Sequence, residues 1–256
     1  MSEERPGYEL VPHAGADASK TGGVAVCGFS STGMVGVIAA SHLIRALDLK
    51  QLGTVLDDEF PAMALVHDSI PKHPVRVYEG DGVGVFTSEI QFPSAYDVKF
   101  AETVLEWFTE GRFDRLIIID GIVGAELGEK KDSDLWGVAS HPQGRKRLGQ
   151  AGVTRMEQGI VSGIAGYLLS EGDRRGIDVT ALLAECNPMY PDARAAAIAS
   201  EALADLLDVE IPLAELLEEA RRIEENVREM FEKSQSMLPA PEGYDVSQQG
   251  GDPMIG

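Results

Sequence analysis

The sequence predicts an α/β fold in which a mostly parallel β-sheet lies between two layers of helices. Short apolar runs, typical of strands, alternate along the chain with segments whose apolar residues recur every three or four positions, as in amphipathic helices. The run LIIID at residues 116–120 is apolar until its last residue, which is typical of a parallel strand covered on both faces. We therefore expect a three-layer α/β/α domain followed by a C-terminal helix.

The first half of the chain predicts one buried strand, one helix and a series of short strands. Residues 24–27 (VAVC) form the apolar strand, and the helical spacing of Met34, Val37 and Ile38 predicts a helix over residues 33–47. Proline and glycine separate the short strands that follow. We expect these strands at residues 52–56, 62–67, 75–79 and 83–88.

The second half alternates strands and helices more regularly. A helix is predicted to begin at Ser94, which fits a capping box with Asp97. Glu102, Glu106 and Glu110 follow four residues apart, and like charges at this spacing oppose a helix by about 0.2–0.5 kcal/mol each in dilute buffer. We expect the remaining strands at residues 116–120, 135–140 and 179–186, and the remaining helices at residues 160–169 and 192–207.

The chain carries a strongly negative charge. Acidic residues number 42 against 22 basic ones, which gives a net charge of −20. This balance argues against nucleic acid as a partner, because neutralising phosphates requires clustered Lys and Arg. The acidic surface fits either ordinary solvation or, as we favour, a cytosol at very high salt, where screening mutes self-repulsion. No apolar run is long enough to span a membrane and no signal-peptide pattern opens the sequence, so we expect a cytoplasmic protein without a membrane partner.

The C-terminal part contains the most regular pattern of the sequence. Residues 212–236 predict a helix whose apolar residues form a heptad seam: Leu213, Leu216, Ala220, Ile223, Val227 and Met230. This seam either docks on its own domain or contacts another subunit. We expect a loose segment at residues 1–21, one α/β domain at residues 22–238 that includes this helix, and a disordered tail at residues 239–256.

The glycine-rich stretch after the first strand fails the test for a phosphate-binding motif. Gly28 and Gly33 have the spacing of a P-loop, but Met34 stands where a P-loop needs Lys. We therefore expect these glycines to serve helix–strand packing. Zinc-ligand spacings and a nucleophile elbow are also missing from the sequence, so we expect no cofactor and no metal and assign no catalytic residue.

Acidic residues collect where strands are predicted to end, and an open α/β sheet binds its ligands at the carboxyl ends of its strands. Asp120 and Gly121 follow one buried strand, and Glu185 lies at the end of another. These three residues are the candidates for a small-molecule site. The same acids are also suited to capping neighbouring helices.

Several stretches together resemble the PAC2 family, the archaeal relatives of proteasome assembly chaperones. They are GFSSTGMVGVIAASHLI at residues 28–44, DEFPAMALVHDSIPKHPVRVYEG at 58–80, LIIIDGI at 116–122, the stretch from GIVSG to ARAAA at 159–197, and the Glu-rich heptad helix. The resemblance implies a phosphorylase-like three-layer fold. It also implies self-association into trimers or larger rings and assistance in the assembly of proteasome α subunits.

The resemblance implies a role for the C-terminus as well. Some archaeal members contact the α ring through a tail that ends in a hydrophobic residue, a tyrosine and any residue. Met254, Ile255 and Gly256 hold these places here, and Ile255 lacks the tyrosine hydroxyl. We expect a non-catalytic, homo-oligomeric chaperone that binds proteasome α subunits. The alternative is an enzyme that acts on a nucleoside- or phosphate-containing small molecule in the strand-end crevice.

Overall fold

The computed structural model describes residues 7–14, 22–58, 60–67, 69–124, 134–214 and 216–218 of the chain. Its helices are α1 (Val35–Ala46), α2 (Asp97–Glu110), α3 (Pro142–Gln150), α4 (Gly163–Arg175) and α5 (Ala193–Leu207). Its strands are β1 (Glu9–Pro12), β2 (Val24–Phe29), β3 (Lys50–Leu56), β4 (Leu65–His67), β5 (Ile70–Lys72), β6 (Val75–Gly80), β7 (Val83–Ser88), β8 (Arg115–Ile122), β9 (Leu135–Ala139), β10 (Thr154–Arg155) and β11 (Val179–Glu185).

One large mixed sheet organises these elements, in the order β1-β3-β6-β7-β2-β8-β11-β9-β10. The four central strands β7, β2, β8 and β11 are parallel, and β10 is parallel to β9. The β1–β3, β3–β6, β6–β7 and β9–β11 pairs are antiparallel. The predicted α/β class is therefore confirmed, whereas the description of the sheet as mostly parallel needs correction to mixed.

The antiparallel pairing of β6 with β7 follows from the short connection between these two strands. Asp81 and Gly82 join β6 to β7, and both have positive φ (49° and 77°), which is the backbone of a tight hairpin turn. A parallel pair would need a crossover of a dozen or more residues, so a two-residue connection forces β6 and β7 to run in opposite directions.

Helices cover both faces of the sheet. On one face, α2 and α4 supply Phe100, Trp107 and Leu168 to a cluster that includes Leu116 and Ile118 of β8. On the other face, α1, α3 and α5 pack on the alternate residues of the same strand. Successive side chains of β8 thus enter different hydrophobic clusters, as the period of two in a strand requires. This arrangement is the predicted three-layer α/β/α core.

The structure departs from the predicted elements in several places. Strand β1 lies within the segment that we expected to be loose, and helix α3 occupies a stretch in which we expected only one strand. The predicted strand at residues 62–67 is shortened to β4, which pairs with β5 in a separate two-stranded sheet. Ser94 begins a 3-10 turn rather than capping α2.

The C-terminal predictions fall largely beyond the described part of the chain. Within the heptad segment, Ala214 and residues 216–218 are helical, and Leu216 is buried against Ala193 and Ala197 of α5. This contact is the docking of the seam on its own domain at its first turn. The rest of the segment, and the tail at residues 239–256, lie outside the described residues.

Among the described residues, the structure contains no helix that combines the length and the apolar character needed to span a bilayer.

Candidate functional site

The central parallel strands end around one cavity of about 300 Å³. Strands β2, β7, β8 and β11 bring their carboxyl ends to the same edge of the sheet, and the loops that follow them form the rim. The wall on the α2–α4 side is apolar and consists of Phe29, Phe92, Phe100, Ile118, Ile164 and Leu183. The rim is polar and includes Ser30, Ser31, Ser88, Ser94 and Ser162.

Asp120 enters this cavity from the end of β8. The Ser31 hydroxyl donates a hydrogen bond to Asp120 Oδ1, and the Gly121 backbone N–H donates to the same oxygen at 2.8 Å. Among the described residues, no hydrogen bond reaches the second oxygen, Oδ2. The carboxylate is therefore held by one oxygen and leaves the other available to the cavity.

The surroundings of Asp120 disfavour its negative charge. Burial raises the pKa of Asp120 above its ordinary value, and the hydrogen bonds from Ser31 and Gly121 oppose this increase only in part. A second carboxylate, Asp97 at the start of α2, also lines the cavity and raises the pKa of Asp120 further by repulsion. Burial raises the pKa of Asp97 as well. The cavity thus contains two acids, and the described residues that line it supply no cationic side chain to compensate their charges.

The loop between β2 and α1 has an unusual backbone. Gly33 and Met34 both adopt the left-handed conformation, with φ of 62° and 52°, before α1 begins. Glycine tolerates this conformation, whereas it is uncommon for a bulky residue such as Met34. A Cβ on Gly33 would lie 2.6 Å from Cys186 Sγ, so the position also lacks room for any side chain. These two residues turn the chain so that Ser30, Ser31 and Thr32 face the cavity.

The glycine-rich stretch serves packing, as the sequence predicted. A Cβ on Gly28 would lie 2.1 Å from the backbone oxygen of Gly36 in α1, and a Cβ on Gly36 would lie 2.4 Å from the backbone oxygen of Ile119. Helix α1 therefore sits directly on β2 and β8. The described residues that line the cavity include no Lys, Arg or His, so the site offers a phosphate group no positively charged side chain.

The three candidate residues from the sequence have different positions. Asp120 and Gly121 line the cavity, but Glu185 does not. The Glu185 carboxylate instead accepts a hydrogen bond from Trp136 Nε1 at 3.2 Å. Sequence reasoning missed Asp97, which belongs to α2 rather than to a strand end. The signal in the sequence is a charged residue in the first turn of a predicted helix, three residues after Ser94. Met254, Ile255 and Gly256 lie outside the described residues.

The described part of the chain brings no three potential metal-ligating side chains together. Its cysteines, Cys27 and Cys186, are free thiols, and burial raises the pKa of both, that of Cys186 to about 12. Neither thiol is therefore activated as a nucleophile, because only the thiolate form is reactive.

Solved structures with similar folds include two proteins of the archaeon Pyrococcus furiosus. The structure of Pyrococcus furiosus PbaA, described as an archaeal homolog of proteasome-assembly chaperone, superposes with a TM-score of 0.78 at 27% identity and covers 91% of this chain and 94% of PbaA. Pyrococcus furiosus PbaB, described as an archaeal proteasome activator, shares the fold with a TM-score of 0.74 at 23% identity, covering 89% of this chain and all of PbaB (100%).

Sequence comparison gives the same placement. An uncharacterized protein of Methanocaldococcus jannaschii is 27% identical over 210 residues, which cover 82% of this chain and 86% of that protein. The profile of the PAC2 family matches residues 25–231, which is most of the chain. The chain therefore belongs to the PAC2 family.

Proposed function

We propose that this protein is a non-catalytic assembly chaperone that binds proteasome α subunits in the cytoplasm and acts as a homo-oligomer. The observation that carries the proposal is the similarity to PbaA, since it extends over more than nine-tenths of both chains and keeps 27% identity. A chaperone of this kind lowers the free energy of an assembly intermediate by holding it, and it needs no bond chemistry.

Exposed apolar side chains supply surfaces for such contacts. Val66 and Ile70, on the β4–β5 hairpin, are 68% and 57% exposed, and Met63 lies exposed just ahead of them. The hairpin is tied to the main sheet by Glu89, which accepts from Arg76 of β6 and lies 2.8 Å from His67 Nε2. Apolar contact would dominate affinity at high salt, because surface ion pairs are then screened.

Affinity purification from the native cytosol at native salt tests this function. A chain tagged at its N-terminus is expected to retain proteasome α subunits, and a chain truncated after Leu238 is expected to retain less if Met254, Ile255 and Gly256 dock. The variant Gly149→Ala serves as a matched control, because a Cβ there meets no atom within 4 Å. Full-length, folded protein that retains no α subunit would contradict the proposal.

The alternative, an enzyme for nucleoside- or phosphate-containing molecules, draws support only from the presence of the strand-end cavity. Its lining disfavours phosphate, because Asp97 and Asp120 contribute negative charge and the described lining residues contribute no positive charge. Calorimetric titration with a nucleotide tests this candidate directly. Binding of the nucleotide by the unaltered chain would favour the enzyme over the chaperone, and an altered affinity in Asp120→Asn would place the nucleotide in this cavity.

A further inference from the structure

We propose that the strand-end cavity binds a small organic cation, namely a protonated amine attached to an apolar or aromatic body. The site lies at the carboxyl ends of β2, β7, β8 and β11, and its ligand class does not depend on whether the protein binds proteasome subunits. The charge of the cavity, the nature of its wall and the fixed shape of its loop all support this assignment.

The charge of the cavity selects a cation. Asp120 and Asp97 are the ionisable residues among the described lining, so its side chains carry up to two negative charges and no positive one. A buried carboxylate is costly unless a positive group pairs with it. An ammonium group at Asp120 Oδ2 would supply this missing partner, and it would also relieve the repulsion between Asp120 and Asp97.

The wall of the cavity selects an apolar body. Phe92 and Phe100 lie with their ring centroids 4.5 Å apart, and Phe29 lies 6.4 Å from Phe100. Aromatic faces attract cations as well as burying hydrocarbon, so the same wall favours an amine that carries a ring or an alkyl group. A volume of about 300 Å³ is at the lower end of the range of small-molecule pockets, which points to a small ligand.

A metal ion fits the cavity less well than an organic cation. Calcium takes six to eight oxygen ligands and magnesium requires octahedral geometry. The described residues assemble no group of three acidic, histidine or cysteine side chains. Serine hydroxyls, by contrast, suit an ammonium group, because they accept hydrogen bonds from its N–H donors. Ser31 already donates to Asp120, and Ser30, Ser88, Ser94 and Ser162 line the rim.

The loop that supplies Ser31 is built into a strained shape. Left-handed backbone is unfavourable at a residue such as Met34 and persists only where the surrounding structure enforces it. Two contacts enforce it here: the Ser30 N–H donates to the Ser88 oxygen at 2.9 Å, and the Asp192 N–H donates to the Gly33 oxygen at 2.8 Å. Hydrogen bonds to β7 and to the start of α5 thus hold the loop in place. The rim of the cavity is therefore preorganised for a ligand.

Three probes of similar shape and different charge test this site: phenethylammonium, phenethyl alcohol and phenylacetate. Each probe is titrated calorimetrically into the full-length chain, at a salt concentration at which the chain is folded. We expect phenethylammonium to bind in the millimolar range or tighter and at least about tenfold more tightly than the alcohol, and phenylacetate to bind weakest. Equal binding of the cation and the alcohol, preferred binding of phenylacetate, or no binding of any probe would overturn the assignment.

Paired variants locate the binding. Asp120→Asn removes the charge with little change of shape, and we expect it to reduce phenethylammonium affinity at least about tenfold while leaving the affinity for the alcohol unchanged. Asp173→Asn is the matched control, because Asp173 is exposed on α4 away from the cavity. Circular dichroism and thermal melting verify that both variants fold. If a folded Asp120→Asn variant binds phenethylammonium as tightly as the unaltered chain does, the assignment is wrong.

Discussion

Single residues carry the pH dependence that the structure predicts, and Glu79 in β6 is the clearest case. Burial raises the pKa of Glu79 from 4.5 to about 7, and the neighbouring Trp107 indole offsets this increase in part. Glu79 Oε1 and Trp107 Nε1 are nevertheless both buried without a hydrogen-bond partner among the residues that the structure describes. The folded protein therefore holds the Glu79 proton more tightly than the unfolded chain does.

Glu79→Gln is expected to stabilise the protein at alkaline pH. Because the folded pKa is raised, the favourable contribution of protonated Glu79 is complete below pH 4.5 and is lost as the pH rises through about 7. Gln stays neutral, so the difference in melting temperature between Glu79→Gln and the unaltered chain should increase from pH 5 to pH 8. Thermal melts at the two pH values measure it.

Glu171 provides a control of opposite sign. Hydrogen bonds from Arg174 lower the pKa of Glu171 to about 2, and bonds from Arg175 act in the same direction. Its contribution is present above pH 4.5 and is lost as the pH falls through about 2. Glu171→Gln should therefore lower the melting temperature at pH 7. A Glu79→Gln variant whose melting difference is the same at pH 5 and pH 8 would show that the Glu79 assignment is wrong.

Between elements, a buried ion pair joins α2 to α4. Glu102 of α2 is 4% exposed, and Arg175 Nη2 donates to both of its oxygens at 2.6 and 2.9 Å. The Tyr167 hydroxyl also donates to Glu102 Oε1, at 2.7 Å. The row of glutamates that weakens α2 in isolation is thus partly neutralised by the neighbouring helix, which sequence spacing alone does not reveal.

Arg175→Ala is expected to destabilise the fold by about 2–3 kcal/mol, because it leaves the buried Glu102 carboxylate with Tyr167 as its remaining partner among the described residues. Arg174→Ala is the matched control, since Arg174 is exposed and pairs with Glu171 of the same helix, and it should change stability little. Urea denaturation of both variants measures the difference. Equal effects of the two substitutions would mean that the Arg175–Glu102 pair does not stabilise the helix contact.

The sequence predicted best those elements that are buried on both faces, because their residues are then apolar without interruption. The LIIID run predicts a central strand, and β8 does lie between β2 and β11. Helix α3 was missed because Gly144 and Gly149 conceal a helical stretch, although Pro142 at its start is a typical helix-initiating residue. Likewise, the strand-end rule placed Asp120 correctly in the cavity, but it could not show that Glu185 turns to Trp136 or that α2 brings in Asp97.

The whole molecule carries a net charge of −20, and its response to salt follows from that charge. We expect the melting temperature to rise as KCl increases, because the Debye length falls from about 10 Å at about 0.1 M to about 3 Å at about 1 M and self-repulsion is screened. Most of this gain should come below about 1 M. NaCl should give the same curve, since screening depends on ionic strength. A melting temperature that is constant or falls with salt would contradict adaptation to a salt-rich cytosol.

The binding of proteasome α subunits is the central claim at the scale of the whole molecule, and light scattering coupled to size-exclusion chromatography measures it most directly. The purified full-length chain and purified α subunits from the same cells are mixed at native salt. We predict a species that contains both proteins and has a larger mass than either forms alone. Separate elution of the two folded proteins at their individual masses would contradict the claim.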